Sequence, residues 1–325
     1  LSVCDDKRIF CVYEALKRGI TVDQIHEVTL IDEWFLEKLK NIIAVENELK
    51  NSELTDDLYY RAKKMGFLNR TIEAITGKKC EKNLLPVYKM VDTCAAEFEA
   101  QTPYFYSTFD KENEAEEFIK NNKSDKKTVI VFGSGPIRIG QGIEFDYCCV
   151  HASLALKKLG FETIIVNCNP ETVSTDYDTS DKLYFEPLTL EDVLSIYNKE
   201  KPVGVIAQFG GQTPLNLASD LEKNGVKILG TSPAVIDLAE DRDLFREMMD
   251  KLEIPMPESG MATTVDEALE IAHKIGYPVM VRPSYVLGGR GMEVVYDDES
   301  LDGYMRAAVG VTPDRPILID RFLDH

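Results

Sequence analysis

Val129–Gly160 reads VIVFGSGPIRIGQGIEFDYCCVHASLALKKLG, and the taking of its first half decides the fold. A short apolar run, VIVF, enters a glycine-rich turn, and a helix-like segment follows. That order opens a nucleotide-binding βαβ unit. Gly133 and Gly135 supply the first two glycines of a G-x-G-x-x-G fingerprint, but Arg138 stands where the third is required. The next apolar run, Thr163–Asn167, continues into Cys168, Asn169 and Pro170. A ribose-binding site needs an acidic residue there, about 20 residues on. The stretch therefore reads as a parallel α/β unit with a poor dinucleotide signal.

Outward from this unit the pattern keeps alternating. Strands are expected at Val129–Phe132, Thr163–Asn167, Lys182–Phe185, Gly204–Gln208 and Lys227–Leu229, and helices at Ile143–Leu159, Leu190–Asn198, Pro214–Lys223 and Pro233–Lys251. Thr189 with Asp192, Thr213 before Pro214, and Ser232 before Pro233 mark helix starts. Such alternation means a parallel sheet covered on both faces, with ligands at the carboxyl ends of its strands. Those ends carry GSGP, NCNPETVSTD and QFGGQTP. After Pro255 and Pro257 a helix at Val265–Ile275, capped by Thr264 and Glu267, leads to a strand at Pro278–Arg282. The loop PSYVLGGRG, a strand at Met292–Tyr296, a helix around Leu301–Ala308 and a strand at Ile317–Asp320 follow. Two strands joined by GGRG make a flap rich in backbone N–H groups that suits a triphosphate, although Gly-Gly is also an ordinary hairpin turn. Arg282 at a strand end needs an anionic partner, either a phosphate or an internal carboxylate.

The residues before Asp110 read as helices. Gly19, Gly66 and Gly77 stand where helices end, Thr21 with Gln24 forms a capping box, and Thr55 precedes Asp56 and Asp57. Phe35, Leu36, Leu39, Ile42, Ile43 and Leu49 form a stripe at helical spacing. No convergent polar loop interrupts them, so a structural or oligomerising role is expected. The apolar residues Trp34, Phe35 and Leu39 mark either an interface or packing against the same chain. An aromatic stretch and the polar run Lys111–Lys127 follow, giving expected domains 1–120, 121–235 and 236–325.

A hydrophobic fraction of 44% with 29% charged residues is that of a globular chain, and 325 residues suffice for two or three cores. The net charge of −19 argues against nucleic acid as the partner, since phosphate backbones need a basic face. No apolar run approaches the roughly 18 residues of a membrane span. Seven scattered cysteines without C-x-x-C spacing fit a reducing cytoplasm better than a disulfide framework or zinc site, and Cys148 and Cys149 read as small core residues. The opening LSVCDDKR, with neither Met nor signal pattern, suggests a fragment.

Longer motifs carry a resemblance. VYKMVDTCAAEFEAQTPYFYST, GSGPIRIGQGIEFDYCCVHA, NCNPETVSTDYDTSDKLYFEPLT, QFGGQTPLNLA, GTSPAVIDLAEDR, RPSYVLGGRGMEVVY and LIDRFLD together resemble the carbamoyl phosphate synthetase large-subunit family. In that family two homologous ATP-using halves flank a helical oligomerisation domain. This chain looks like that helical domain followed by the start of the second half. The resemblance implies an all-α domain, then an α/β pre-ATP-grasp domain with a Rossmann-like parallel sheet, then a truncated α+β ATP-grasp domain. It implies ATP contacts at Arg242, Arg282, Gly288, Gly289, Arg321 and Leu323, and a passage for carbamate beside Gly142 and Glu144. A glycine at 142 also serves simply to begin a helix. Arg321 stands where many members have histidine, which leaves its part beside the adenine open.

The implied parent is an ATP-dependent carbon–nitrogen ligase of the cytoplasm, making carbamoyl phosphate for pyrimidine and arginine biosynthesis. ATP and Mg²⁺ are its implied cofactors, with the Mg²⁺ ligands expected beyond His325, so that the fragment itself is expected to be inactive. Its implied partners are a second copy through the helical domain and a glutaminase small subunit, with neither nucleic acid nor membrane. Two other readings stand beside this one: a different ATP-grasp ligase, and a self-association scaffold without catalysis.

Overall fold

The computed structural model describes residues 1–98, 100–136, 142–283, 291–307 and 316–323. Two compact units emerge, one over Leu1–Pro136 with Glu144–Gly230 and one over Ile137–Ile143 with Thr231–His325.

The first unit opens with helices α1 (Arg8–Lys17), α2 (Val22–Thr29), α3 (Glu33–Asn51), α4 (Asp56–Lys64) and α5 (Asn69–Thr76). Their ends follow the expected chemistry. Thr21 and Gln24 form the capping box of α2, the Thr55 hydroxyl accepts from Leu58 N, and Gly77 ends α5 at φ +67°. Helix α5 has Leu68 at its N-cap, whose side chain has no oxygen to offer. Glu191 from a later helix supplies one, accepting from Asn69 N at 2.8 Å while also pairing with the buried Lys63. One carboxylate thus completes a helix terminus and neutralises a buried ammonium.

The sheet of this unit begins earlier than the sequence suggests. Strands β1 (Val87–Met90) and β2 (Tyr104–Thr108) precede α6 (Glu114–Asn121), which packs on β1. Then come β3 (Thr128–Phe132), α7 (Glu144–Lys158), β4 (Glu162–Val166), β5 (Lys182–Tyr184), α8 (Leu190–Glu200), β6 (Gly204–Ile206) and α9 (Gln212–Lys223). Among the described residues the strand order is β1-β2-β5-β4-β3-β6, parallel except for the antiparallel β1–β2 edge. The expected boundary near Asn121 therefore falls inside this layer. Phe105 is fully buried, and Tyr88 and Tyr184 meet edge to face at 5.1 Å, so the aromatic stretch builds sheet edge. The expected strand Lys227–Leu229 reduces to a single parallel bridge between Val205 and Ile228. Helix α9 starts at Gln212 with Gly211 as its N-cap, which makes Thr213 part of the first turn and not the cap.

In the second unit the expected helix Pro233–Lys251 divides into α10 (Pro233–Glu240) and α11 (Arg242–Lys251). The break has a local cause: Asp241 is extended, and its side chain accepts from Leu244 N at 2.9 Å. Strands β7 (Ser259–Ala262), β8 (Val279–Pro283), β9 (Glu293–Val295) and β10 (Ile317–Arg321) make an antiparallel sheet ordered β7-β10-β8-β9. Helices α12 (Val265–Ile275) and α13 (Asp298–Ala307) pack together, and α12 lies on β7 and β10. Strand β7 carries no alternating apolar pattern. Its Gly260 is required because a Cβ there would lie 2.7 Å from Ile271 Cγ2.

Burial leaves one titration signature at the β2–β5 junction. Glu186 is 3% exposed, and its carboxylate accepts from Ser107 N and, at 2.9 Å, from Ser107 Oγ. Desolvation raises its pKa to about 7, against those two donors, with nearby Asp192 adding like-charge repulsion. A folded pKa above the unfolded value means that this group's contribution is fully present below about 4.5 and lost as pH rises through about 7. Glu186→Gln keeps an acceptor without the charge. Urea unfolding between about pH 5 and pH 8 should show a flatter pH dependence in that variant, with a gain of up to about 3 kcal/mol at the alkaline end.

Candidate active site

Strands β3, β4 and β6 run parallel, so their carboxyl ends bring Gly133–Pro136, Asn167–Pro170 and Gln208–Gly211 together. The glycines there face protein. A Cβ on Gly133 would lie 2.4 Å from Asn167 Cγ, and one on Gly210 would lie 2.5 Å from the Gly133 carbonyl oxygen. Asn167 is fully buried, and its Oδ1 accepts from Gly135 N at 2.9 Å and Asn169 N at 3.3 Å. Its Nδ2 donates to Ser174 Oγ at 3.1 Å. The turn's amide thus goes to a side chain from the neighbouring strand, where a dinucleotide site would offer it to a pyrophosphate. That explains the missing acidic residue: the position after β4 is used for packing. Arg138 lies outside the described residues.

Helix α7 approaches the same cluster. Asp146, 1% exposed in its first turn, accepts from Ser174 N at 3.0 Å. Cys149 is buried and donates to Phe132 O at 3.3 Å; burial pushes its thiol up to about 12, which rules it out as a thiolate nucleophile. Cys148, expected in the core, is exposed. Gly142 is half-buried and Glu144 exposed.

The remaining candidates belong to the second unit. Arg282 sits on β8 opposite Leu318 of β10. Its guanidinium pairs with Asp320 at 2.9 Å, so the internal carboxylate exists. Its Nε is nonetheless buried without a hydrogen-bond partner among the described residues. A phosphate fits that donor, since one guanidinium edge is held by Asp320 and another N–H remains to be satisfied. Arg321 pairs in register with Val279, an odd number of residues from Arg282, and therefore points to the opposite face of the sheet. There it pairs with Glu258 at 3.1 Å. Leu323 is 62% exposed just after β10. Arg242 is the first residue of α11, and Gly288 and Gly289 lie outside the described residues. Among the described residues no cluster of carboxylates, histidines and cysteines forms a metal site, and no helix is long and apolar enough to cross a membrane. Asn167 and Asp146 were not singled out by sequence. The signal available was a polar residue directly after a buried strand, and a polar residue one turn into a helix.

The fold and these loops fit a known class. Residues 125–238 match the family described as the carbamoyl phosphate synthase preATP-grasp domain, and residues 241–325 match its ATP binding domain, which defines an ATP-grasp-type protein. Residues 1–86 match the carbamoyl-phosphate synthetase large chain oligomerisation domain. The chain is 55% identical over 98% of its length to the carbamoyl phosphate synthase large chain of Archaeoglobus fulgidus, and 56% identical over 98% to that of Methanothermobacter thermautotrophicus. It belongs to the carbamoyl phosphate synthase large-chain family. The chain spans 30% of the length of these curated relatives.

The loop cluster makes a steric prediction. Gly210→Ala sets a methyl against backbone atoms of Gly133 and Phe132, which cannot turn aside, and should cost about 3 kcal/mol or more. Gly133→Ala meets the Asn167 side chain first, with its Cγ at 2.4 Å. Its cost should shrink in an Asn167→Ala background, while that of Gly210→Ala should not. Denaturant unfolding of the three single and two double variants measures both.

Proposed function

We propose that this chain is part of an enzyme that makes carbamoyl phosphate from glutamine-derived ammonia, bicarbonate and two ATP. The residues from about Lys123 onward belong to the half that phosphorylates carbamate. Identity of 55% spread over 98% of the chain, with all three domain matches in order, carries this reading. In the reaction a carbamate oxygen attacks the γ-phosphorus of ATP, a P–O bond forms, and the bond to ADP breaks.

The chain's own part in that step is charge placement. Arg282 donates to phosphate oxygens through the N–H groups that Asp320 leaves free, and the pairing keeps the guanidinium plane fixed between substrates. Arg242 and the flap glycines Gly288 and Gly289 complete the phosphate side. Arg321 and Leu323, at the end of β10, border the adenine through their main chain. Mg²⁺ would supply neutralisation of the phosphate charge, and among the described residues no cluster of carboxylates, histidines and cysteines would hold it. Carbamate reaches this half past Gly142 and Glu144. The pathways served are pyrimidine and arginine synthesis, in the cytoplasm, with a glutaminase subunit as partner.

In the full-length enzyme Arg282→Ala should raise the barrier of the carbamate-phosphorylating step by about 2–4 kcal/mol, as loss of an oxyanion-type donor does. Partial-reaction assays check it: ATP formation from ADP and carbamoyl phosphate falls, while bicarbonate-dependent ATP hydrolysis stays. Equal losses in both would assign Arg282 elsewhere.

Residues 1–86 act as an all-helical self-association domain in this reading. Trp34 and Phe35 are each 59% exposed and stack edge to face on α3, whereas Leu39 turns inward onto the core of α1–α3. Light scattering should give a dimer at micromolar concentration and a monomer for Trp34→Glu/Phe35→Glu. A dimer that survives the double substitution places the contact elsewhere.

A further inference from the structure

We propose that Asp146 is a positioning residue for carbamate transfer, holding the turn of α7 that carries Glu144 in register with the loop after β4. The proposal rests on the reading that carbamate passes beside Gly142 and Glu144. Its basis is a continuous path of buried hydrogen bonds. Asp146, 1% exposed, accepts from Ser174 N at 3.0 Å. Ser174, fully buried in the short 3₁₀ turn Val173–Thr175, accepts through Oγ from Asn167 Nδ2 at 3.1 Å. Asn167 in turn holds Gly135 N at 2.9 Å.

The first turn of α7 is thereby tied through three bonds to the glycine turn that ends β3. Glu144 itself is exposed, so the tie lies one half-turn further along the helix, on its buried side. Burying a carboxylate is costly, and Asp146 Oδ1 has no partner among the described residues. A helix that needed only packing would carry an apolar residue here, because a half-satisfied polar group is worse than none. The carboxylate is explained by what it orients: one specific amide, in one loop, at a fixed distance from the turn bearing Glu144.

The test uses the full-length enzyme with glutamine, measuring ATP consumed per carbamoyl phosphate formed, alongside the two ATP partial reactions and thermal unfolding. Asp146→Ala removes the acceptor and should raise the ratio about twofold, because misplacing the turn lets carbamate escape while both partial reactions continue. Asp146→Asn keeps an acceptor for Ser174 N and should restore a ratio near that of the parent. Should Asp146→Ala fail to fold, Asp146→Leu, which fills the space but offers no acceptor to Ser174 N, should raise the ratio in its place. A merely structural role would lower both partial reactions and leave the ratio unchanged, which overturns the proposal, as does an Asn variant as leaky as the Ala variant. Gly142→Leu tests the underlying reading separately. An unchanged ratio in that variant removes the passage and the proposal with it. A raised ratio there with an unchanged ratio in Asp146→Ala and Asp146→Leu removes the proposal alone.

Discussion

Everything at the carboxyl edge of the first sheet depends on one close approach, that of Gly133 to the Asn167 side chain. The two residues end adjacent parallel strands, and the gap between them admits no methyl group. Filling that gap with an amide has two consequences. The N–H of Gly135 is satisfied internally, and Asn169 and Ser174 are drawn to the same side chain. Gly210 then closes the third side against the Gly133 backbone, so three loops become one packed cluster. A turn built in this way is rigid and full. It has the outline of a dinucleotide site and none of its vacancy.

The second unit handles its arginine by the opposite strategy. Asp320 satisfies part of the Arg282 guanidinium and leaves Nε buried without a partner among the described residues. The first unit uses these donors internally, while the second leaves one unmatched among the described residues. In the proposed function that donor is the one a phosphate would fill, since charge placement works through donors set in advance. The same contrast separates Arg282 from Arg321, which strand alternation sends to opposite faces although their sequence motifs look equivalent.

How much of this could be read from sequence follows from the range of the forces involved. Capping is local, and the capping boxes of α2 and α12 stand where Thr21 and Thr264 put them. Burial on both faces is also legible, so VIVF and TIIV were found as strands with errors of a single residue at their ends. Strands β1, β2 and β7 are not legible, because they lie at or next to a sheet edge and their apolar residues serve a partner strand and follow no pattern of their own. Asp241 splitting one expected helix into two was within reach, since an Asp followed three residues later by a free amide is a cap signal. Glu191 capping α5 was not, because acceptor and helix lie 122 residues apart in sequence. At the site, the glycines were legible as glycines, but what they make room for was not. The sequence pattern of a close approach to phosphate is also that of a close approach to asparagine.

The central claim, that the glycine turn is filled by Asn167, is tested most directly by amide hydrogen exchange at Gly135. The Gly135 amide, though it sits in a loop, should exchange about a thousandfold or more slowly than an unstructured amide, and Asn167→Ala should remove most of that protection while the amides of β3 keep theirs. Exchange of Gly135 at the rate of an open loop in the parent chain, or protection unchanged in Asn167→Ala, would contradict it.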